Sequence, residues 1–309
     1  MSLGRNILLW CSRNEWLKNR FPKMKFTRRA VKKFMPGETW EDAISATRKL
    51  LENNIPTTFT HLGENITTLE EAEENTKHYI VLLDKINNEN LDIEISLKLT
   101  QIGFDLSFDK TFELFSQIAD KTKSCNNFVF IDIEDSSYVD KTIEFYKKIK
   151  KNYDNVGLCL QSYLYRTMKD IEQMMDINPT IRLVKGAYKE PETVAFKSKK
   201  QVDENFFKLS SFLINKIKDK NWRAAFATHD MNMVKLIEDE GARLGIDKSN
   251  LEFHMLYGIK SSEQLKLAAD GYGVRVLISY GESWFPWYMR RLAERPANVS
   301  FVLKNLLSR

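Results

Sequence analysis

Cysteine, glycine and proline are scarce in this chain of 309 residues, which has three cysteines, 12 glycines and seven prolines. The cysteines, Cys11, Cys125 and Cys159, are far apart and show neither a disulfide framework nor zinc-ligand spacing, which predicts a reducing, cytoplasmic location. So few glycines and prolines, beside 12% aromatic residues, exclude a disordered or collagen-like chain.

Long hydrophobic runs are also missing. No apolar run approaches the roughly 18–20 residues that a membrane span requires. The apolar stretch Ile7–Trp10 is shorter than the signal-peptide core of about 7–15 residues. We therefore expect neither a transmembrane segment nor a secretory leader.

Acidic residues are almost absent from residues 1–37, which carry ten lysines or arginines and one acid, Glu15. Four aromatic residues lie among these positive charges: Trp10, Trp16, Phe21 and Phe26. Such a basic helical arm is able to contact nucleic acid or anionic lipid. No nucleic-acid-binding module follows, so we expect no nucleic-acid partner. The alternative is a solvated helical face whose aromatic residues pack on the protein body.

From residue 38 onward, two hydrophobic periodicities alternate. Short β-branched or aromatic runs predict eight strands: Pro56–His61, Ile93–Lys98, Phe128–Ile133, Val156–Gln161, Ile181–Val184, Ala224–Thr228, Leu251–Met255 and Val274–Ile278. Apolar residues three and four apart predict helices between them, at Glu70–Ile86, Thr111–Lys121, Val139–Lys150, Asp203–Lys218 and Met231–Leu244.

Eight strand–helix units over about 250 residues predict an α/β protein with a (β/α)8 TIM-type barrel. We expect two parts, a basic helical N-terminal arm at residues 1–37 and a catalytic barrel at residues 38–309. The strands are mostly apolar throughout, as buried parallel strands are. A doubly wound open sheet is the alternative, but the segment Leu62–Asn65 after the first strand lacks the glycine-rich turn of such sheets.

Candidate site residues, most of them polar, lie at or just beyond the carboxyl ends of six successive predicted strands. They are Lys98, Asp132, Gln161, Arg182–Tyr188, Thr228–Asp230 and Leu256–Gly258. A single polar residue at the end of a strand is typical of the solvent-exposed rim of any barrel. Six at the same end of the barrel predict a functional site, because barrel enzymes place their chemistry there.

Two lysines at strand ends, Lys98 and Lys185, are also compatible with a second enzyme class, the barrel aldolases. An inward-pointing Lys98 needs an anion nearby, such as Asp132 or a ligand carboxylate, because a buried ammonium group is costly unless it is paired. Alternatively, Lys98 or Lys185 forms a Schiff base with a carbonyl substrate, as in barrel aldolases.

The segment Trp284–Asn298 predicts a last helix with two adjacent arginines, Arg290 and Arg291. Neighbouring helical positions diverge by about 100°, so both arginines reach one anion only if the helix end lies across the barrel mouth. Guanidinium groups suit carboxylates and phosphates. The alternative is a salt-bridged surface pair. The four histidines show no metal-binding spacing, so we expect no metal.

Several segments, in order along the chain, resemble the proline dehydrogenase family. They are Phe34–Gly63, Ser96–Gly103, Arg182–Tyr188, Ala227–Asp230, Glu252–Gly258 and Arg290–Asn298. This resemblance implies a (β/α)8 barrel that holds non-covalent FAD. It also implies oxidation of L-proline to 1-pyrroline-5-carboxylate by hydride transfer to FAD, with electrons passed to a membrane quinone. We therefore expect a cytoplasmic protein whose basic arm contacts the inner face of the membrane.

The resemblance also implies roles for individual residues. Arg290 and Arg291 correspond to the pair that clamps the substrate carboxylate, with Lys98 as a third cation. Asp132 corresponds to the acid beside Lys98, and Leu256 to the apolar residue over the substrate ring. Residues implied to contact FAD are Gln161, Arg182, Val184, Lys185, Gly186, Ala187, Thr228, His229 and Glu294, with Arg182 near the reactive edge of the flavin.

Two positions depart from the family pattern. Leu277 stands thirteen residues before the first arginine, and Trp287 stands three residues before it, where relatives generally carry tyrosine. Both are expected to line the substrate pocket. The alternative substrate is therefore a modified or different cyclic amino acid.

Overall fold

A computed structural model describes residue 14 and residues 31–63, 66–220 and 222–294, the last range without the side chains of residues 290, 293 and 294. The strands are β1 Thr57–His61, β2 Ile93–Lys98, β3 Val129–Asp132, β4 Val156–Gln161, β5 Ile181–Val184, β6 Ala224–Ala227, β7 Glu252–Leu256 and β8 Gly273–Tyr280. The α-helices of the described residues are α1 Trp40–Leu51, α2 Leu69–Asn88, α3 Phe108–Ser124, α4 Val139–Lys150, α5 Thr167–Glu172, α6 Lys199–Lys220, α7 Met231–Leu244, α8 Ser261–Ala269 and α9 Trp284–Glu294.

The eight strands are parallel and close into a barrel in sequence order. Closure is made by β1, in which Thr57 pairs with Ile93 of β2 and with Val276 of β8. The predicted (β/α)8 barrel is confirmed, and the open-sheet alternative is wrong because no strand edge is left unpaired. The strand β8 runs two residues beyond its predicted end at Ile278, because Ser279 interrupts the apolar run without ending the pairing.

Helix starts are fixed by local capping. Thr39 accepts a hydrogen bond from the backbone N–H of Asp42 at the start of α1, and Asp42 accepts one in return from the N–H of Thr39. Thr68 and Glu71 form the same reciprocal box at the start of α2. Such boxes satisfy backbone donors that have no partner within the helix, and they therefore define where each helix begins.

The strand β2 shows how the barrel separates its two faces. Ile93, Ile95 and Leu97 are buried in the hydrophobic core. The alternate residues Glu94 and Ser96 instead contact side chains from strands across the barrel. The strand β2 thus departs from the mostly apolar pattern expected for the strands, because its inner face is polar.

The amino-terminal end of the barrel is filled by paired charges. Arg223 donates two hydrogen bonds to Glu252, at 2.8 and 2.7 Å, and pairs with Glu94 at 2.7 Å. Arg275 pairs with Asp92 at 2.9 Å. Buried charges are costly unless they are paired, and here each acid faces an arginine. This floor leaves the opposite, carboxyl end of the strands as the open end of the barrel.

The segment 31–35 packs against α9. Val31 and Met35 are 3% and 2% exposed and form one cluster with apolar side chains of α9. Gly258, with φ at +71°, lies directly under this segment, since a Cβ there would approach the Lys33 carbonyl oxygen to 1.6 Å. Part of the predicted arm at residues 1–37 thus packs on the barrel. Its aromatic residues Trp10, Trp16, Phe21 and Phe26 lie outside the described residues.

Within the part of the chain that the structure describes, none of the helices combines the length and the apolar character needed to cross a bilayer.

Candidate active site

A deep cavity lies at the carboxyl ends of the strands. Its volume is about 920 Å3, near the upper end of the roughly 300–1,000 Å3 typical of ligand sites. Every one of the eight strands contributes at least one lining residue. Among the described residues, the charge-paired floor fills the amino-terminal end, so a ligand enters from the carboxyl end of the strands.

The structure brings most of the sequence-predicted site residues together in this cavity. Twelve of the fourteen line it: Lys98, Asp132, Gln161, Arg182, Val184, Lys185, Gly186, Ala187, Thr228, His229, Leu256 and Arg291. The other two, Arg290 and Glu294, belong to α9, but their side chains lie outside what the structure describes. The roles of all fourteen residues stay predictions.

The helix α9 lies against the cavity by one face. Ser283, Trp287 and Arg291, at successive intervals of four residues, all line the cavity. Residues four apart in a helix share a face. The predicted placement of the helix end at the barrel mouth therefore holds for Arg291.

Arg182 is the most buried of the described arginines and lysines that line the cavity. Its side chain is 3% exposed, forms an ion pair with Asp132 and donates a hydrogen bond of 2.6 Å to the Ser96 hydroxyl. Ser96 in turn donates to Asp132 at 2.9 Å. The ring of Phe130 lies 4.5 Å from the guanidinium carbon. Asp132 also stands opposite Lys98 in the strand register, so it is next to both predicted cations.

Lys185 lies in a network of four charges at the cavity wall. Its Nζ is 2.5 Å from Asp203 and 3.2 Å from Asp230, and Lys199 pairs with the same two carboxylates. Asp230 also caps the start of α7 by accepting a hydrogen bond from the N–H of Asn232. The amine of Lys185 is therefore engaged in ion pairs and is not available to attack a carbonyl.

Thr228 and His229 are fixed just beyond β6. The Thr228 hydroxyl accepts a hydrogen bond of 3.1 Å from the backbone N–H of Asp230. His229 accepts one of 2.8 Å at Nε2 from the backbone N–H of Leu256. An accepting Nε2 carries no proton, so the neutral ring holds its proton on Nδ1.

Comparisons with known proteins agree with this geometry. A family profile for proline dehydrogenase matches residues 43–304. The chain is 38% identical over 306 residues to proline dehydrogenase 2 of Bacillus subtilis subsp. natto, covering 99% of both chains. It is 35% identical over 282 residues to the proline dehydrogenase of Deinococcus radiodurans, covering 90% of both.

The chain belongs to the proline dehydrogenase family. The resemblance drawn from its motifs is thereby confirmed.

Solved structures of the longer protein proline utilization A share the fold. The protein from Bdellovibrio bacteriovorus, inactivated by N-propargylglycine, superposes with a TM-score of 0.81 at 23% identity, covering 94% of this chain and 36% of its own length. A variant from Bradyrhizobium japonicum gives a TM-score of 0.74 at 21% identity, covering 90% of this chain and 32% of its own. The chain spans about a third of the length of these two proteins.

One side of the cavity has an apolar wall. Leu277 and Trp287, the two departures from tyrosine, both line the cavity, as the sequence predicted. Leu256 lines it as well, and its strand neighbour across the β7–β8 pair is Leu277. An apolar ring is the kind of ligand that this wall favours.

A ring stack beside the cavity was missed by sequence reasoning. His61, which lines the cavity, stacks on His78 with ring centroids 4.3 Å apart, and Trp40 also stacks on His78, with centroids 5.4 Å apart. The Nε2 atom of His78 is 2.7 Å from the Tyr280 hydroxyl. Burial, with a smaller contribution from His78, lowers the pKa of His61 to about 4. Both histidines are therefore neutral near pH 7.

Ser96 was also missed, although the sequence carries a signal for it. Ser96 precedes Lys98 by two residues, so both side chains share the inner face of β2. A polar residue two positions before a predicted site lysine shares its face of the strand, and this rule would have found Ser96 as a partner of the cavity residues Arg182 and Asp132.

Proposed function

We propose that the protein is an FAD-dependent oxidoreductase that converts L-proline to 1-pyrroline-5-carboxylate. The observation that carries the proposal is that residues in or directly after strands β2 to β7 and in α9, each assigned a role through the family motifs, line one cavity. The relatives named proline dehydrogenase extend over the same length as this chain, which supports the same reaction.

The residues present fit FAD. The Nη1 atom of Arg182 and the Oε1 atom of Gln161 are buried and have no hydrogen-bond partner among the described residues, and both side chains line the cavity. Buried polar atoms normally have partners, so these two are suited to a polar ligand. The backbone amides at Gly186 and Ala187 suit the pyrophosphate, whereas the Lys185 amine is engaged by Asp203 and Asp230. FAD, when bound, supplies the acceptor for a hydride.

The amino-acid substrate requires charge at one end and an apolar surface at the other. Arg291, together with Arg290 and Lys98, binds the substrate carboxylate, since a guanidinium group matches a carboxylate in bidentate geometry. Leu256 covers the apolar ring. Cations that fix the carboxylate also fix the ring carbon that loses hydride, and such positioning accounts for much of the rate of enzymes. The substrate amine must be neutral to release hydride, so the rate rises with pH as this nitrogen loses its proton.

The test is reconstitution of the purified chain with FAD, followed by turnover of L-proline with a dye as electron acceptor. We expect a stoichiometric flavin complex that oxidises proline and forms a cyclic imine, detected with an aromatic aminoaldehyde. A chain that takes up no FAD would contradict the proposal. Trapping of a carbonyl substrate on Lys98 by borohydride would instead favour the lysine-dependent aldolase.

A second candidate reaction is oxidation of a modified or different cyclic amino acid in the same cavity. The observation that favours it is the position of Leu277 and Trp287, both of which line the cavity without the hydroxyl groups of the usual tyrosines. A panel of ring-substituted prolines and of larger and smaller cyclic amino acids separates the two. Proline turnover at ordinary enzyme efficiency, with no analogue preferred, would exclude this candidate.

We infer that a quinone accepts the electrons and that the basic residues 1–37 bring the enzyme to an anionic membrane surface. Ten positive charges against one acid suit binding to anionic lipid. Deletion of residues 1–20 is expected to weaken binding to anionic vesicles. Unchanged vesicle binding would contradict the membrane role.

A further inference from the structure

The segment between β5 and α6, residues 185–198, forms much of the cavity wall. Connections between strands and helices in α/β units usually have about 2–6 residues, and longer ones are commonly functional. Its lining residues are Lys185, Gly186, Ala187, Tyr188, Lys189, Glu190, Glu192, Ala195, Phe196 and Lys197. Such a long irregular segment needs specific contacts to keep one conformation, because ordering each residue costs about 1–2 kcal/mol.

One carboxylate in this segment joins three parts of the barrel rim. The Oε1 atom of Glu190 accepts hydrogen bonds from the backbone N–H of Ser136, at 2.8 Å, and from the Tyr163 hydroxyl, at 3.3 Å. Its Oε2 atom accepts one from the Ser136 hydroxyl at 2.5 Å. Ser136 follows β3 and Tyr163 follows β4. Glu190 therefore ties the β5–α6 segment to the two preceding strand ends.

Tyr163 holds the same segment at both ends. Its backbone N–H donates to the Lys185 carbonyl at 3.0 Å, and its own carbonyl accepts from the N–H of Phe196 at 2.8 Å. Gly186, with φ at +113°, lies against the Tyr163 ring, since a Cβ there would approach the ring to 2.3 Å. Burial and the neighbouring Glu190 raise the pKa of the Tyr163 hydroxyl, which therefore stays a proton donor to Glu190.

We propose that Glu190 is a positioning residue that holds the segment 185–198 in its cavity-lining conformation and thereby sets the affinity for the flavin. The flavin part rests on the function proposed above. Without the Glu190 bonds, conformations in which the segment leaves the cavity become populated. We call the hydrogen bonds of Glu190 to Ser136 and Tyr163 the latch. If a ligand binds only the conformation in which the latch is formed, its apparent Kd equals its intrinsic Kd divided by the fraction of molecules in that conformation.

Two independent substitutions break these hydrogen bonds, one at the acceptor and one at a donor. Glu190→Ala removes the acceptor, and Ser136→Ala removes one donor without changing the segment itself. Glu190→Gln is the conservative variant, because its amide keeps an oxygen for the Ser136 N–H and its NH2 group is able to donate to the Ser136 hydroxyl. Ser137→Ala is the matched control, since the Ser137 hydroxyl and N–H donate to Asp135 instead.

The first measurement is limited trypsin digestion of the flavin-free protein, followed at the bond after Lys197. This lysine is exposed, and its bond lies seven residues from the substituted position 190. Cleavage of a transiently open segment tracks the open population. The second measurement is titration with FAD, and the third is kcat at saturating FAD. Thermal unfolding of each flavin-free variant reports on the barrel as a whole.

We expect Glu190→Ala and Ser136→Ala to be cut about tenfold faster and to bind FAD about tenfold more weakly, since hydrogen bonds to a charged group are lost. Glu190→Gln should stay within about threefold of the wild type in both measurements, and Ser137→Ala should match it. The unfolding temperature should change little, and any fall in kcat at saturating FAD should be smaller than the loss of FAD affinity. Wild-type rates of cleavage in both alanine variants, or unchanged or tighter FAD binding, would overturn the proposal. A wild-type protein that binds no FAD would overturn the proposed function instead, while the digestion still tests the latch.

Discussion

Two guanidinium groups of the same cavity are in contrasting surroundings. Arg182 is 3% exposed, and its Nη2 atom is engaged by Asp132 and Ser96. Arg291 lies on the cavity face of α9 and is only partly buried. A buried, paired guanidinium is suited to fixing a permanent cofactor, whereas a partly exposed one at the mouth is suited to a substrate that enters and leaves. Removal of the Arg182 guanidinium and removal of the Arg291 guanidinium should therefore affect different ligands.

Replacement of Arg291 by methionine tests the carboxylate assignment. Loss of a charge-assisted bond of about 1.5–3 kcal/mol should raise the KM for proline about tenfold to a hundredfold. The Kd for FAD should change less than about threefold, since the predicted flavin contacts come mainly from β4 to β6. Steady-state kinetics and FAD titration measure the two effects. Arg243→Met, at a surface arginine paired with Glu240, is the control. Equal losses of proline and FAD binding would show that the assignment is wrong.

Replacement of Ser96 by alanine tests the support of Arg182. The variant removes the acceptor for Arg182 and one donor to Asp132, both in a buried setting. We expect an FAD affinity or a kcat lowered by about tenfold, as for other lost bonds to buried charges. Ser210→Ala is the control, because that buried hydroxyl donates to the carbonyl of Phe206 within its own helix. If both variants kept wild-type affinity and kcat, Ser96 would have no role in positioning Arg182.

At the scale of elements, α9 is held on the barrel by a segment remote in sequence. Its side chains Trp284, Phe285, Tyr288 and Leu292 are each at most 2% exposed. They share one cluster with Val31 and Met35. The indole Nε1 of Trp284 also donates to Glu38 at 2.9 Å. The placement of Arg291 at the mouth therefore depends on residues 31–38 as well as on the barrel.

Comparison of Gly258→Ala with Gly245→Ala distinguishes the packing of residues 31–35 on the barrel from the backbone strain of an alanine at positive φ. Gly258 and Gly245 both have φ at +71°, but an added Cβ meets the Lys33 carbonyl at 1.6 Å in the first case and nothing within 4 Å in the second. Gly245→Ala should lower the free energy of unfolding by about 1–2 kcal/mol, the strain of an alanine in this conformation. Gly258→Ala should lower it by about 3 kcal/mol or more and also raise the KM for proline. Urea denaturation and kinetics of both variants check this. Equal effects of the two would contradict the docking of residues 31–35 under α9.

The sequence predicted the elements better than the contacts between them. All eight strands lie within three residues of their predicted bounds, and the helices Val139–Lys150 and Met231–Leu244 have the predicted ends. These features depend on local periodicity, which a single sequence shows. The Arg182–Asp132–Ser96 triad and the Glu190–Ser136 latch join residues 36 to 86 positions apart. Their meeting depends on the register of strands around the closed barrel, which local patterns do not fix.

At the scale of the whole molecule, the closed barrel has a charge-paired floor and an open, polar mouth. The floor arginine Arg223 faces the buried acids Glu94 and Glu252, so its substitution would leave buried charge with fewer partners. The neutral His61–His78 stack lies near the opposite end, beside β1 and β8. Both features make global stability sensitive to protonation.

Stability should fall on mild acidification because of His61. Its pKa is lowered to about 4 in the folded protein by burial and His78, against an ordinary value of 6.5. The unfolded chain therefore binds more protons, so stability is full above pH 6.5 and is lost as the pH falls towards 4. From pH 7 to pH 5 the free energy of unfolding should drop by about 2 kcal/mol through this group. The pKa of His78 is lowered too, because the effect of burial exceeds the opposite effect of the Glu41 charge. His78 therefore contributes to the loss of stability in the same direction.

Urea denaturation at the two pH values measures this drop, and His61→Asn is the comparison. Between pH 7 and pH 5, the free energy of unfolding of the variant should fall by about 2 kcal/mol less than that of the wild type. An identical pH dependence in the variant and the wild type would show that His61 is not the group responsible.

The most direct test of the central claim is an absorbance spectrum of the FAD-loaded protein before and after anaerobic addition of L-proline. If the cavity holds a cyclic amino acid by its carboxylate against the flavin, the oxidised flavin band bleaches within the time of mixing, and Arg291→Met bleaches only at far higher proline concentrations. A flavin-loaded protein whose band is unchanged by proline and by every cyclic amino acid tried would contradict the account.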